Sequence, residues 1–279
     1  HDINFVTIFN GEIYNYEFLK KKILKKGYSI KTNCDTELIA PGYKFFGEEF
    51  FSLIEGMFAF AIYDLSTSDL ILSRDRFGVK PLYYSILNNN LYFSSSAKSI
   101  YTLDFFKRKI NLKNLQSVLS KRYVKDSEHI FENIYQVNPG QIIKYKNNII
   151  FKETFIKENN FEGISGRNEE LNKILGNFFD NDIESFNLSD VDIGIMLSSG
   201  VDSNLLNEKL DSSIKKIFTL DFGESKFNES KIVSLENPKK INVCRFDIEA
   251  FEEIYDETIE AFDNPITDLV IFPTNFLMK

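Results

Sequence analysis

The chain has 279 residues, of which 43% are hydrophobic and 27% are charged, a usage typical of a globular protein with roughly two domains. Its formal net charge of −8 argues against a general affinity for nucleic acid or for anionic membranes. The two cysteines, Cys34 and Cys244, do not form a disulfide framework or a metal-ligand pattern, and no apolar run reaches the roughly 18 residues that span a bilayer, so we expect a cytoplasmic protein.

The first hundred residues are patterned mainly as strands. An apolar run predicts a strand over residues 5–9 that stops at Asn10-Gly11, a common hairpin-turn dipeptide. Helical spacing of apolar residues follows at 16–26, and Asp35 or Thr36 is placed to cap a second helix. The further predicted elements are the helix 37–46, the hairpin 58–64 with 70–73, the loop 74–81 and the hairpin 82–86 with 91–94.

The rest of the chain changes from strands to an alternation of helices and strands. His129, without a partner pattern for catalysis, is expected to be an exposed loop residue. The polar stretch 157–168 is the best boundary, which gives domains over residues 1–156 and 169–279. Residues 227–247 carry little pattern. The other predicted elements are the helix 111–122, the hairpin within 142–151, the helix 169–186, the strand 192–197, the helix 204–210, the strand 216–222 and the helix 251–262.

The stretch 192–206 has the pattern of an anion site, because an apolar strand runs through a Ser/Gly turn into a helix. Unpaired N–H groups and the helix dipole favour a phosphate at such a helix start. Gly200 allows close approach of the backbone, and Asp202 offers a carboxylate for a magnesium ion. Ser198, Ser199 and Ser203 supply hydroxyl donors. The alternative is an ordinary strand-to-helix turn.

Four blocks of sequence carry a resemblance to a known family. Residues 9–16, 35–37, 53–62 and 74–84 resemble, in this order, the glutaminase domain of the asparagine synthetase family, a class II glutamine amidotransferase domain. The Ser-x-Gly-Val-Asp-Ser pattern at 198–203 resembles the loop of N-type ATP pyrophosphatases. The resemblance implies an α+β sandwich of antiparallel sheets with helices, incomplete here, followed by an α/β parallel-sheet synthetase domain. It also implies a chiefly architectural role for residues 74–84.

The resemblance also implies a glutamine site. Asn10 and Gly11 match the family's oxyanion-hole donors, each typically worth about 3 kcal/mol of barrier. Asn10, Glu12 and Asp35 match positions that bind glutamine, with the two carboxylates facing its ammonium group. A hairpin turn at Asn10-Gly11 and a helix cap at Asp35 are the alternatives. The family nucleophile is an N-terminal cysteine with no counterpart in these 279 residues, so we expect an interior portion of a longer protein, without glutaminase activity as it stands.

The resemblance also implies a nucleotide site in the second domain. Besides Ser198, Ser199, Gly200, Asp202 and Ser203, the resemblance suggests Leu197 and Leu220 as nucleobase contacts, although both could equally be core strand residues. Asp202 and Asp268 are the candidate magnesium ligands. Three positions of this domain depart from the family, since Ser199 replaces a glycine, Asn264 replaces a glutamate near the adenylate and Val270 replaces a serine.

The implied reaction is ATP-dependent amide formation, with ammonia from glutamine transferred to an adenylylated carboxylate. The expected partners are therefore glutamine, ATP with Mg²⁺, and a carboxylic acid acceptor. The acceptor could be aspartate or a sugar carboxylate, and Asn264 tilts the choice slightly away from aspartate. The alternative is a catalytically inactive nucleotide-binding paralogue or a relative similar to β-lactam synthetase. The sequence does not fix the oligomeric state and is compatible with a homodimer.

Overall fold

The computed structural model describes residues 4–124, 127–156, 168–186, 192–210, 213–226, 228–236, 241–265 and 267–279. The chain divides into two compact units, residues 1–160 and 161–279. The boundary predicted over 157–168 lies almost wholly outside the described residues and stays a prediction. Neither unit contains, among its described residues, a helix long and apolar enough to cross a membrane.

The first unit is built on a five-stranded antiparallel sheet in the order β1-β2-β3-β7-β8. A three-stranded antiparallel sheet, β5-β4-β6, accompanies it. The strands are β1 (Phe5–Ile13), β2 (Gly56–Asp64), β3 (Leu70–Arg74), β4 (Tyr83–Leu87), β5 (Asn90–Ser94), β6 (Tyr135–Gln136), β7 (Gln141–Lys146) and β8 (Ile149–Thr154). The helices are α1 (Tyr16–Leu24), α2 (Thr36–Phe46), α3 (Glu49–Leu53), α4 (Lys98–Tyr101) and α5 (Leu112–Lys121).

Strand β2 lies at the centre of this unit because both of its faces are buried. Phe58 and Phe60 pack in one cluster with Leu19, Leu38 and Phe50 from the helices α1, α2 and α3. The alternate residues of β2 face the other way: Ala59 and Ala61 pack in a second cluster with Leu82, Tyr84 and Val137 from the region of the three-stranded sheet. The small side chains leave room for this second layer. Helices, a large sheet and a smaller sheet therefore stack in that order.

Three features of the first unit differ from the sequence-based predictions. Strand β1 does not stop at Asn10-Gly11 but continues to Ile13, pairing Asn10 with Ala59, so the hairpin-turn interpretation is wrong. The sequence pattern does not predict the short helices α3 and α4, because each is too short for helical periodicity to show. His129 is 1% exposed instead of lying on the surface, and its ring packs near Tyr83, Tyr101 and Phe131.

The second unit alternates helices with a three-stranded parallel sheet in the order β11-β10-β9. Ile217 and Val233 are in its apolar core. Residues 227–247, which lack a clear sequence pattern, contribute a helix and a strand, and the helix predicted at 204 begins earlier, at Val201. The elements are α6 (Asn168–Phe186), β9 (Ile193–Met196), α7 (Val201–Lys209), β10 (Ile214–Asp221), α8 (Ser230–Glu236), β11 (Ile241–Arg245), α9 (Ile248–Ala261) and α10 (Ile271–Met278).

Candidate functional site

The end of β1 carries the first group of predicted site residues. Gly11 has a φ of +155°, and a Cβ at this position would lie 2.1 Å from the Met57 carbonyl oxygen on β2. The two strands therefore approach so closely that only glycine fits at Gly11. Asn10 is exposed, on the outermost strand of the described part of the sheet. Its side-chain amide is thus presented beside a backbone segment whose position is fixed by packing.

Asp35 reaches the same end of β1 from the start of α2. Its carboxylate accepts a hydrogen bond from the Ile13 N–H at 3.3 Å, next to Glu12 in the chain. Asp35 is the N-cap residue of α2, as predicted, but its side chain makes no capping hydrogen bond. The structure therefore brings Asp35 to the segment that carries Asn10, Gly11 and Glu12. The Cys34 thiol also donates to Asp35 Oδ1 at 3.8 Å, and these two bonds leave part of the acceptor capacity of the carboxylate available.

Glu37 organises the loop that delivers Asp35. Its carboxylate accepts the N–H groups of Lys31 and Thr32 at 2.8 and 2.7 Å, and the Thr32 hydroxyl at 2.5 Å. Burial would raise the pKa of Glu37, but these hydrogen bonds hold its pKa below the ordinary value of 4.5. Glu37 therefore holds the loop in place, and the loop positions the Asp35 carboxylate beside β1.

Two consecutive buried charged residues, Arg74 and Asp75, hold the backbone next to this segment. Asp75 is fully buried, and its carboxylate accepts the N–H groups of Phe58 at 3.3 Å and of Phe77, Val79 and Lys80 at 3.0 Å. These bonds fold residues 77–80 around one carboxylate, and Phe58 ties that carboxylate to β2, directly opposite Gly11.

The Arg74 guanidinium donates hydrogen bonds to backbone carbonyls. It reaches Lys80 at 2.6 Å, Val137 at 2.8 Å and Gly78 at 2.5 Å. Burial lowers the pKa of Arg74. All of these bonds are internal, which agrees with an architectural role for residues 74–84. Burial also raises the pKa of Tyr14, and the negative charges of Glu12 and Asp75 raise it further.

In the second unit, strand β9 runs through residues 198–200, here termed the anion turn, into helix α7. The Ser198 and Ser203 hydroxyls lie 3.0 Å apart, and Asn204 Nδ2 donates to the carbonyls of Ser198 and Gly200 at 2.9 Å. Gly200 has an ordinary φ of −70°, and Ser199 is not among the residues with positive φ. Ser199 therefore causes no backbone strain where it replaces a glycine. The first N–H groups of α7 have no partner four residues back within the helix.

A cavity of about 400 Å³ opens at the carboxyl ends of β9 and β10. Leu197, Ser198 and Leu220, three of the residues predicted to bind nucleotide, line it together. Phe222, from the segment 220–222 expected at the end of the predicted strand 216–222, lines it too, and the lining residues without a sequence-based prediction are Met196, Thr219, Glu229, Thr274 and Leu277. The carboxyl ends of parallel strands are the general ligand position in such sheets, so Thr219, next to Leu220, could have been predicted. Glu229, from the segment leading into α8, had no signal in the sequence.

The candidate magnesium ligands stand in different positions. Asp202 is exposed in the first turn of α7. Asp268 accepts a hydrogen bond from the Val270 N–H at 3.1 Å, ahead of helix α10. Carboxylates of this kind suit Mg²⁺, which takes few protein ligands and keeps phosphate oxygens and water. Within the described ranges no group of three or more His, Cys, Asp and Glu side chains is placed to hold a metal.

Comparisons with known proteins identify the family of this chain. Residues 1–156 match the glutamine amidotransferase domain, and because this is more than half of the chain, the chain belongs to that family. Residues 182–279 match the asparagine synthase family. The resemblance inferred from the four sequence blocks is thereby confirmed.

Curated relatives carry both regions. Asparagine synthetase [glutamine-hydrolyzing] 1 of Bacillus subtilis is 30% identical over all of this chain, which covers 45% of that protein. A putative asparagine synthetase [glutamine-hydrolyzing] 2 of Methanocaldococcus jannaschii is 29% identical over 96% of this chain and 53% of its own length. The chain thus spans about half the length of the curated relatives that it matches.

Proposed function

We propose that the protein carrying these two units is a glutamine-dependent ligase of the asparagine synthetase type. It releases ammonia from glutamine in the first unit and joins it to a carboxylic acid that ATP has activated in the second, with AMP and pyrophosphate as products. The observation that carries this proposal is the succession, on one chain, of a region matching the glutamine amidotransferase domain and a region matching asparagine synthase.

The end of β1 supports glutamine binding in the first unit. The Asp35 carboxylate lies against the Ile13 N–H beside Glu12, so two acidic residues approach one place, as an ammonium group requires. We assign the α-amino end of glutamine to Glu12 and Asp35. The Asn10 amide and the Gly11 N–H then donate to the oxyanion that forms at the side-chain carbonyl, where a donor is typically worth about 3 kcal/mol.

The cavity beside the anion turn supports nucleotide binding in the second unit. We assign the base of ATP to Leu197 and Leu220, which line the cavity, and its phosphates to the turn of Ser198, Ser199 and Gly200 with the Ser203 hydroxyl. The N-terminus of α7 favours negative charge at this place. Mg²⁺ would be held by Asp202 and Asp268 and would neutralise phosphate charge.

The residue at position 264 bears on the choice of acceptor acid. Asn264 stands where members of the family carry a glutamate, and its Oδ1 is buried without a hydrogen-bond partner among the described residues. A neutral amide cannot act as a base or bear negative charge. We therefore propose aspartate and a sugar carboxylate as the two acceptors to compare.

Exchange of labelled pyrophosphate into ATP tests the proposal, because exchange reports formation of an acyl-adenylate. The protein that carries both units is assayed with aspartate, with a sugar carboxylate and without acid. Exchange that depends on one acid supports the ligase and identifies its substrate. Nucleotide binding without exchange for any acid would contradict the ligase and favour a nucleotide-binding paralogue.

A further inference from the structure

A carboxylate of the protein itself lies on the anion turn. The Ser199 N–H donates a hydrogen bond to Glu229 Oε2 at 2.8 Å. Ser199 lies immediately before Gly200, the N-cap residue of α7, and Glu229 also lines the adjoining cavity. The Glu229 carboxylate therefore occupies a backbone donor at the place that the proposed function assigns to a phosphate.

The loop after β10 is folded so that Glu229 is delivered to this place. The Asp221 carboxylate, at the end of β10, accepts the Gly223 N–H at 2.9 Å, Asn228 Nδ2 at 2.5 Å and Arg245 Nη1 at 3.1 Å. Asn228 also donates to the Gly223 carbonyl at 2.6 Å. Because Asn228 directly precedes Glu229, these bonds fix the backbone from which Glu229 extends.

The other N–H groups of the anion turn also have partners inside the protein. The Ser198 N–H donates to the Ser203 hydroxyl at 3.3 Å, and the Gly200 N–H donates to the Ser198 hydroxyl at 3.2 Å. Those partners are neutral and can rotate, whereas the partner of Ser199 is an anion. Hydrogen bonds from the Ser199 N–H and then from its hydroxyl hold the pKa of Glu229 below the ordinary value, so the carboxylate is charged at neutral pH.

A phosphate oxygen bound at the anion turn would accept a hydrogen bond from the Ser199 N–H over a distance of about 3 Å. One N–H group cannot make straight hydrogen bonds to two anions at the same time. The two negative groups would also repel each other in a partly shielded position. We propose that Glu229 is an internal competitor of the phosphates, which occupies the anion turn in the empty site and is displaced when a di- or triphosphate binds. This inference rests on the proposed nucleotide site and adds its regulation.

The test is calorimetric titration of the full chain with inorganic pyrophosphate and Mg²⁺. Glu229→Gln keeps an acceptor for Ser199 but removes the charge, so we expect pyrophosphate to bind about tenfold more tightly than to the unchanged chain, equivalent to about 1.4 kcal/mol. Glu224→Gln is the matched control, since it removes the same charge from an exposed position in the same loop. It should leave the affinity unchanged.

The outcomes separate this inference from the function on which it rests. Equal or weaker binding by Glu229→Gln would overturn the competition, and weaker binding would show instead that the carboxylate helps to hold the ligand with Mg²⁺. Equal tightening by both variants would reduce the effect to net charge and also overturn it. Absence of pyrophosphate binding in every variant would contradict the nucleotide site itself. The amide resonance of Ser199 checks folding, because it should shift in Glu229→Gln and not in Glu224→Gln.

Discussion

Substitution of Asp75 by asparagine should destabilise the first unit severely, although the two side chains have the same shape. Each carboxylate oxygen accepts two N–H groups: Oδ1 those of Phe77 and Val79, and Oδ2 those of Phe58 and Lys80. An asparagine keeps one oxygen and turns an NH₂ donor toward the other two N–H groups. Leaving a buried donor unpaired costs about 1–3 kcal/mol, so two give about 2–6 kcal/mol. This is a large share of the roughly 5–15 kcal/mol that stabilises a domain.

Urea unfolding of the chain, followed by circular dichroism, measures this loss. Amide hydrogen exchange at Phe77, Val79 and Lys80 localises it, because these amides should lose protection first. Asp104→Asn is the control, since Asp104 is exposed and its substitution should change stability by less than about 0.5 kcal/mol. A loss below about 1 kcal/mol in Asp75→Asn, with unchanged exchange, would refute the view that one carboxylate holds the turn.

Three further expectations follow from the first unit. Gly11→Ala should prevent stable folding, since the new Cβ would lie 2.1 Å from a carbonyl oxygen of β2. Gly27→Ala is the control: residue 27 has a φ of +85° but no atom within 4 Å of the added Cβ, so its free energy of unfolding in urea should fall by only about 1 kcal/mol. The pKa of Glu37 measured by NMR should lie below 4.5. The contribution of Glu37 to the free energy of unfolding is complete above pH 4.5 and is lost as the pH falls through its lower folded-state pKa. This pH dependence should be absent in Glu37→Gln. Asp35→Asn should weaken glutamine binding to the chain about tenfold in a calorimetric titration, and an unchanged affinity would remove Asp35 from the site.

The sequence predicted those elements whose evidence is local. The hairpin around residues 147 and 148 forms as expected, with β7 and β8 on either side, because alternation and turn residues act over a few positions. The helix predicted over 111–122 is observed as α5, and Asn111 caps it with its side chain. The residues at the end of β1 came from matched blocks rather than from periodicity, and the family comparison confirms the resemblance on which they rest.

The errors occur where contacts distant in sequence override local preference. Asn10-Gly11 has turn chemistry, but pairing with β2 keeps it extended, and its glycine is needed for close approach instead of for a turn. His129 is buried because Tyr83 and Tyr101, distant in the chain, pack near its ring. Glu229 reaches a residue 30 positions earlier, which no short motif records. These are tertiary effects, and a pattern read over a short window does not contain them.

The two candidate sites differ in whether a charged group of the protein already occupies the proposed ligand position. In the first, the Asp35 carboxylate accepts hydrogen bonds from the Ile13 N–H and the Cys34 thiol, and under the proposed function its remaining acceptor capacity serves an ammonium group. In the second, the proposed phosphate position is already filled by Glu229 on Ser199. The pyrophosphate affinity measured on the unchanged chain is then lowered by the free energy needed to displace a charge-assisted hydrogen bond. It is therefore weaker than the intrinsic affinity of the anion turn and the start of α7 for an anion. Mg²⁺, by offsetting the charge of both the phosphates and the displaced carboxylate, should strengthen binding more in the unchanged chain than in Glu229→Gln.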